Sequence, residues 1–130
     1  MRGSVIAFVR FRTYVKDAGP LELIMKAELL HEEFAPRNLA READHLLLRA
    51  ADAVDLVSRA AEEGVPIVRV DRADLPPGSG EVSLERVADF SAAVAEGHGC
   101  WDVAEHVILS PQEREVAFQL TLGDDPMEVV

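Results

Sequence analysis

Apolar and polar positions alternate at the start of the chain. Val5, Ala7, Val9, Phe11, Thr13 and Val15 fall on one side of an extended backbone, and Ile6, Phe8, Arg10, Arg12, Tyr14 and Lys16 on the other. A period of two marks a β-strand, so the spacing predicts a strand over 5–15 that belongs to the fold and is not a leader. Lys16-Asp17-Ala18-Gly19-Pro20 supplies turn chemistry. The next stretch fits two periods. Leu21, Leu23, Met25, Ala27 and Leu29 alternate with more polar residues, whereas Leu23, Ala27, Leu30 and Phe34 recur at helical spacing. Following the alternation gives a second strand over 21–29, in a hairpin with the first.

The longest periodic segment comes next. Leu39, Ala43, Leu46, Leu47, Ala50, Val54, Val57 and Ala61 recur three and four apart, which predicts one helix over 39–63 with Asn38 as N-cap and Gly64 as its stop. Asp55 and Arg59 are set for an i,i+4 ion pair on its outer face. Residues 65–71 read as a strand and 74–80 as a Pro/Gly-rich loop. Ser83 caps a second helix that runs to Gly97, with Val82 and Val87 placed for a hydrophobic staple. Residues 103–109 and 116–122 then alternate as a closing antiparallel hairpin, joined by a turn of helical character at 110–114. Residues 124–130 read as a frayed acidic tail.

These elements define a single α+β domain over residues 1–130. Its mixed or antiparallel sheet has four to five strands, packed by two helices, in the order β(β)αβαββ. The apolar stripe of the long helix is broad for a chain with only 5% aromatic residues to fill a core, and a homodimer would bury the surplus.

Composition restricts the partners. A net charge of −11 opposes the phosphate backbone of DNA or RNA, so nucleic acid is excluded as a general ligand; the acidic surface could attract a basic protein, although the plainer reading is a solvated surface with no electrostatic partner. No apolar run approaches the roughly 18 residues of a membrane span. One cysteine cannot form an internal disulfide, which suits a reducing cytoplasm.

Candidate chemistry concentrates in Gly97-His98-Gly99-Cys100-Trp101, with His106 just beyond. A thiol and imidazoles on a glycine-flanked loop could act as nucleophile and base. The position after a helix C-terminus, however, would raise the thiol pKa. A mixed zinc set of His98, Cys100 and His106 with Asp102 or Glu105 lacks CxxC or HExxH spacing, so no metal is assigned and no cofactor is implied. Arg10, Arg12 and Tyr14 form a basic, aromatic-interleaved patch on the first strand, a candidate partner-binding face.

The sequence therefore predicts a non-enzymatic binding or regulatory module that meets a protein partner, a basic one, through its acidic surface. The alternative is a small-ligand-binding protein or small enzyme built on His98, Cys100, Trp101 and His106. A structural oligomer subunit is a third reading.

Overall fold

The computed structural model describes residues 20–40, 46–75 and 83–123. Among these the architecture is α+β, with helices packed on a three-stranded antiparallel sheet. The elements are helix α1 (Pro20–Phe34), a 3-10 turn (Ala35–Arg37), helix α2 (Ala50–Glu63), strand β1 (Ile67–Asp74), strand β2 (Glu85–Asp89), helix α3 (Ser91–Ala95), helix α4 (Trp101–Leu109) and strand β3 (Val116–Leu122). The strand order is β2-β1-β3. The predicted strand over 5–15, with Arg10, Arg12 and Tyr14, and the predicted tail over 124–130 lie outside the described residues. No helix among the described residues is long and apolar enough to cross a membrane.

Residues 21–29 are helical, not a strand. Leu23, Leu30 and Phe34 are each no more than 2% exposed and fall on one side of α1, with Ala27 between them. The alternating set fails because Leu21, Met25 and Leu29 lie on the outer side, exposed by 54% or more. Helical spacing prevailed because it alone buries a continuous stripe against α2 and the sheet.

The predicted helix over 39–63 is also shorter than expected and begins at Ala50. Ahead of it, Leu46-Leu47-Leu48 is extended. Leu48 exchanges backbone hydrogen bonds with Phe118, at 2.9 and 2.7 Å. The three leucines bury on two sides: Leu46 and Leu48 join the main core, while Leu47 meets Ala73 and Ala117 across the sheet. A helix cannot bury three consecutive side chains on one stripe, whereas an extended chain over the sheet edge buries them alternately. Asn38 is not a helix N-cap; it ends the 3-10 turn. Its Oδ1 accepts the amides of Ala40 and Leu47, both at 2.9 Å, and so clamps this segment. Within α2 the buried face is Ala53, Leu56, Val57 and Ala60, and Gly64 ends the helix at φ 75° as expected.

Two further corrections concern the second half. Residues 85–89 form β2 on the edge of β1, and only Ser91–Ala95 is helical; Asp89 receives the Ser91 amide at 2.9 Å and its hydroxyl at 2.7 Å. Cross-strand charge favours the strand, since Arg86 donates to the buried Asp71 at 2.7 Å and Arg72 to Glu85 at 2.8 Å. Residues 103–109 belong to α4, whose buried set is Trp101, Ala104 and Ile108. β3, as predicted, spans Val116–Leu122, but it pairs with β1 and not with 103–109. The expected four to five strands and their order are thus not seen among the described residues, and neither is a two-helix layer.

Candidate functional site

The structure places the glycine-flanked loop between the end of α3 and the start of α4. Cys100 is the N-cap residue, with φ 63°, the single non-glycine residue of positive φ among those described. Trp101 is 3% exposed, and its indole Nε1–H donates to the Val65 carbonyl at 2.8 Å. Gly99 lies directly on the indole: a Cβ there would stand 2.3 Å from two ring carbons and 2.5 Å from a third. The Gly99 carbonyl accepts the Ile67 amide at 3.0 Å, so the loop is stitched to the head of β1. These contacts make Trp101 and Gly99 parts of the core.

The ionisable members of the predicted site are Cys100, His98 and His106. The Cys100 thiol contacts the His98 carbonyl at 3.9 Å, and partial burial pushes its pKa up, away from the thiolate that nucleophilic or metal chemistry requires. His98 and His106 are both exposed. His106 follows Cys100 by six positions, well round the α4 axis from the residue that begins the helix. Among the described residues no group of three or more His, Cys, Asp or Glu side chains is placed to hold a metal ion.

A different surface has the form of a binding site. Between α1 and β3 lies an open groove of about 510 Å³, walled by Ile24, Ala27, Leu46, Leu120 and Leu122 and rimmed by Glu28, His31 and Glu32. Its floor is a strand edge. β3 pairs with β1 on one side, and on the other Leu48 pairs only with Phe118. Because N–H and C=O directions alternate along a strand, the backbone groups of Leu120 and Leu122 point the same way as those of Phe118, away from β1 and into the groove. No strand of the described residues pairs with them there. Leu120 is only 3% exposed, and backbone polar groups buried to that degree call for a partner.

The wall of the groove continues onto an apolar surface. Leu21, Ile24, Met25 and Leu29 are exposed by 68, 47, 54 and 62%. The N-terminal half of α1 is therefore apolar on both its buried and its outer sides, unlike an ordinary amphipathic helix. His31 is exposed overall, yet desolvation at the groove holds its pKa below the ordinary value, with Glu28 opposing the shift. The sequence reasoning missed this site because it took 21–29 for a strand. The available signal was that Leu21, Ile24, Met25 and Leu29 make a second apolar stripe at helical spacing, beside the one formed by Leu23, Ala27, Leu30 and Phe34.

Acidic residues elsewhere are mostly engaged. Arg59 meets Glu33 through two hydrogen bonds, at 2.8 and 3.0 Å, and also holds Glu62 and Glu63. Arg37 bridges Asp52 and Asp55 at 3.1 and 2.9 Å while stacking over Phe34. In place of the expected Asp55–Arg59 pair, Asp55 is held by Arg37, and Arg59 by Glu33, Glu62 and Glu63. Compared with protein-family models, with curated proteins and with solved structures, the chain matches none of them.

Proposed function

We propose that the protein is a non-enzymatic binding module that accepts an extended polypeptide segment, basic on one face and apolar on the other, as an added strand along β3. The supporting observation is the groove itself: outward backbone groups of Leu120 and Leu122 beside an apolar wall, under the carboxylates of Glu28 and Glu32. Strand addition draws affinity from main-chain hydrogen bonds and selectivity from the alternate side chains that meet the walls. The acidic rim and the net charge of −11 favour a basic partner and speed its approach.

A short synthetic peptide alternating valine and arginine tests this reading. On titration, amide shifts should centre on Leu120, Thr121 and Leu122, and the paired reversal Glu28→Lys with Glu32→Lys should weaken binding by about tenfold. Shifts centred on the Cys100 loop, or binding indifferent to the reversal, would overturn it.

A further inference from the structure

We propose that the groove receives a chain end: the free N-terminus of a partner polypeptide, its α-ammonium held by Glu28 and Glu32 and its next residues laid along β3, parallel to it. This rests on the groove being a strand-accepting site and names the part of the partner that enters.

The strand edge in the groove is closed on one side. Leu48 already takes the outward N–H and C=O of Phe118, at 2.7 and 2.9 Å, which leaves Leu120 and Leu122 as the outward positions beyond it. The Leu48–Phe118 pair is antiparallel, so stepping back from Leu48 sets Leu46 at the level of Leu120, where it lines the groove. A strand running through would collide with Leu46. One that starts or stops there would not.

Charge decides between a start and a stop. Helix α1 runs opposite to β3. Its early turns lie at Gly123, where a Cβ would stand 3.7 Å from the Leu23 carbonyl oxygen and 3.8 Å from Ala27 Cβ. Its far end leads through the 3-10 turn to Asn38, which accepts the Leu47 amide at 2.9 Å. From Ala27 to Glu32 the helix advances about 8 Å, and from Gly123 back to Leu120 the strand covers about 10 Å. Glu28 and Glu32 therefore stand toward the closed side. They are one turn apart on the same face of α1. Among the described residues neither carboxylate has an ion pair, whereas Glu33 next to them is held by Arg59. Desolvation lowers the pKa of His31 on the same rim, so at neutral pH the imidazole leaves their charge uncancelled.

Two free carboxylates at the blind end of an apolar groove attract an ammonium and repel a carboxylate. An N-terminus brings its charge to the point where the strand has to end; a C-terminus would bring a like charge to the same place. From there the partner runs with β3 toward Gly123, bonding at Leu120 and Leu122 and setting alternate side chains against Ile24 and Ala27.

Three peptides of one valine–arginine sequence test the proposal: both ends free, N-acetylated, and C-amidated. Acetylation should weaken binding by about tenfold or more, and amidation should change it by less than about twofold. Glu28→Gln with Glu32→Gln should weaken the free-amine peptide by about tenfold and the acetylated one much less, a coupling that a merely acidic surface would not give. Both positions are exposed, so the double variant keeps the core intact. A spin label at the peptide's C-terminal end should broaden the Leu23 and Gly123 amides more than those of Leu46 and Leu48.

Equal affinity for free and acetylated peptides, with amide shifts still at Leu120 and Leu122, overturns the end capture and leaves the strand-accepting groove standing. A loss on amidation instead of acetylation also overturns it, by giving the blind end to a carboxylate. So does a free-amine preference that survives the double variant, or broadening strongest at Leu46. Where none of the peptides binds, the end capture and the binding module fall together.

Discussion

The indole of Trp101 donates to the carbonyl of Val65 from inside the core. That bond joins the first residue of α4 to Val65, two residues ahead of β1, and explains why Gly99 must be glycine, since the ring occupies the space of any Cβ. Gly99→Ala should cost about 2–3 kcal/mol, the penalty of overpacking a closed site. Trp101→Phe should cost a similar amount by leaving a buried carbonyl unsatisfied and a gap beside the ring. Urea unfolding followed by circular dichroism reads both, and a Gly99→Ala protein as stable as the wild type would show that the loop yields easily.

Cys100 should behave as an inert thiol. Burial raises its pKa, so alkylation should follow a midpoint above the free-thiol value of about 8.5, and zinc should give no protection. Mass spectrometry of alkylated protein across pH measures this directly. A midpoint below the free value would return the loop to consideration as a reactive site.

The elements read correctly from the sequence were those in which one period dominated. β3 had Val116, Phe118, Leu120 and Leu122 alternating with the smaller or polar Ala117, Gln119 and Thr121, and the end of α2 was marked by Gly64. The errors came where two periods coexisted and tertiary contacts decided. α1 carries alternation and helical spacing together, and helix packing selected the second. Leu46-Leu47-Leu48 continued a helical stripe in the sequence but pairs with Phe118 as extended chain. Residues 85–89 took the free edge of β1, a choice that depended on Asp71 and Arg72, more than ten positions away. The loop around Cys100 was legible as unusual, and its glycines and tryptophan are indeed coupled, by packing and not by chemistry. The groove was hidden because it joins α1 to β3 across the whole described chain.

His31 gives the groove a pH dependence. Its folded pKa lies below the free value of about 6.5, so the unfolded chain binds the proton more readily. Its contribution to stability is complete above that free value and is lost as pH falls through the folded pKa. His31→Gln should flatten this part of the stability profile, as measured by thermal midpoints between about pH 7 and pH 5. A profile with the same slope in the variant would remove His31 as its cause.

Arg59 ties α1 to α2 through Glu33, and the same contact holds the Glu33 carboxyl below its ordinary pKa. The tie is on the surface and screened by salt. Arg59→Ala should lower the melting temperature by a few degrees in dilute buffer, with most of the difference gone in molar salt. An equal loss at both ionic strengths would place the effect in packing of the arginine stem.

Leu23 and Ile24 are neighbours in sequence with opposite roles, and they separate the core from the site. Leu23 is 2% exposed and packs with Leu30 and Phe34, so Leu23→Ala should cost about 2–4 kcal/mol through lost burial and the cavity left behind. Ile24 is 47% exposed on the groove wall. Ile24→Asp removes little buried area and, in an unoccupied groove, should shift stability by no more than about 0.5 kcal/mol. It nevertheless sets a carboxylate against the apolar face of any added strand. Peptide binding at Leu120 should therefore fall by about tenfold or more, because desolvating that charge has no compensating partner. Urea denaturation and peptide titration on the same two variants give the pattern. Loss of stability confined to Leu23→Ala and loss of binding confined to Ile24→Asp is the expected result. Binding unaffected by Ile24→Asp would mean that the strand does not lie against α1, whatever else the edge of β3 accepts.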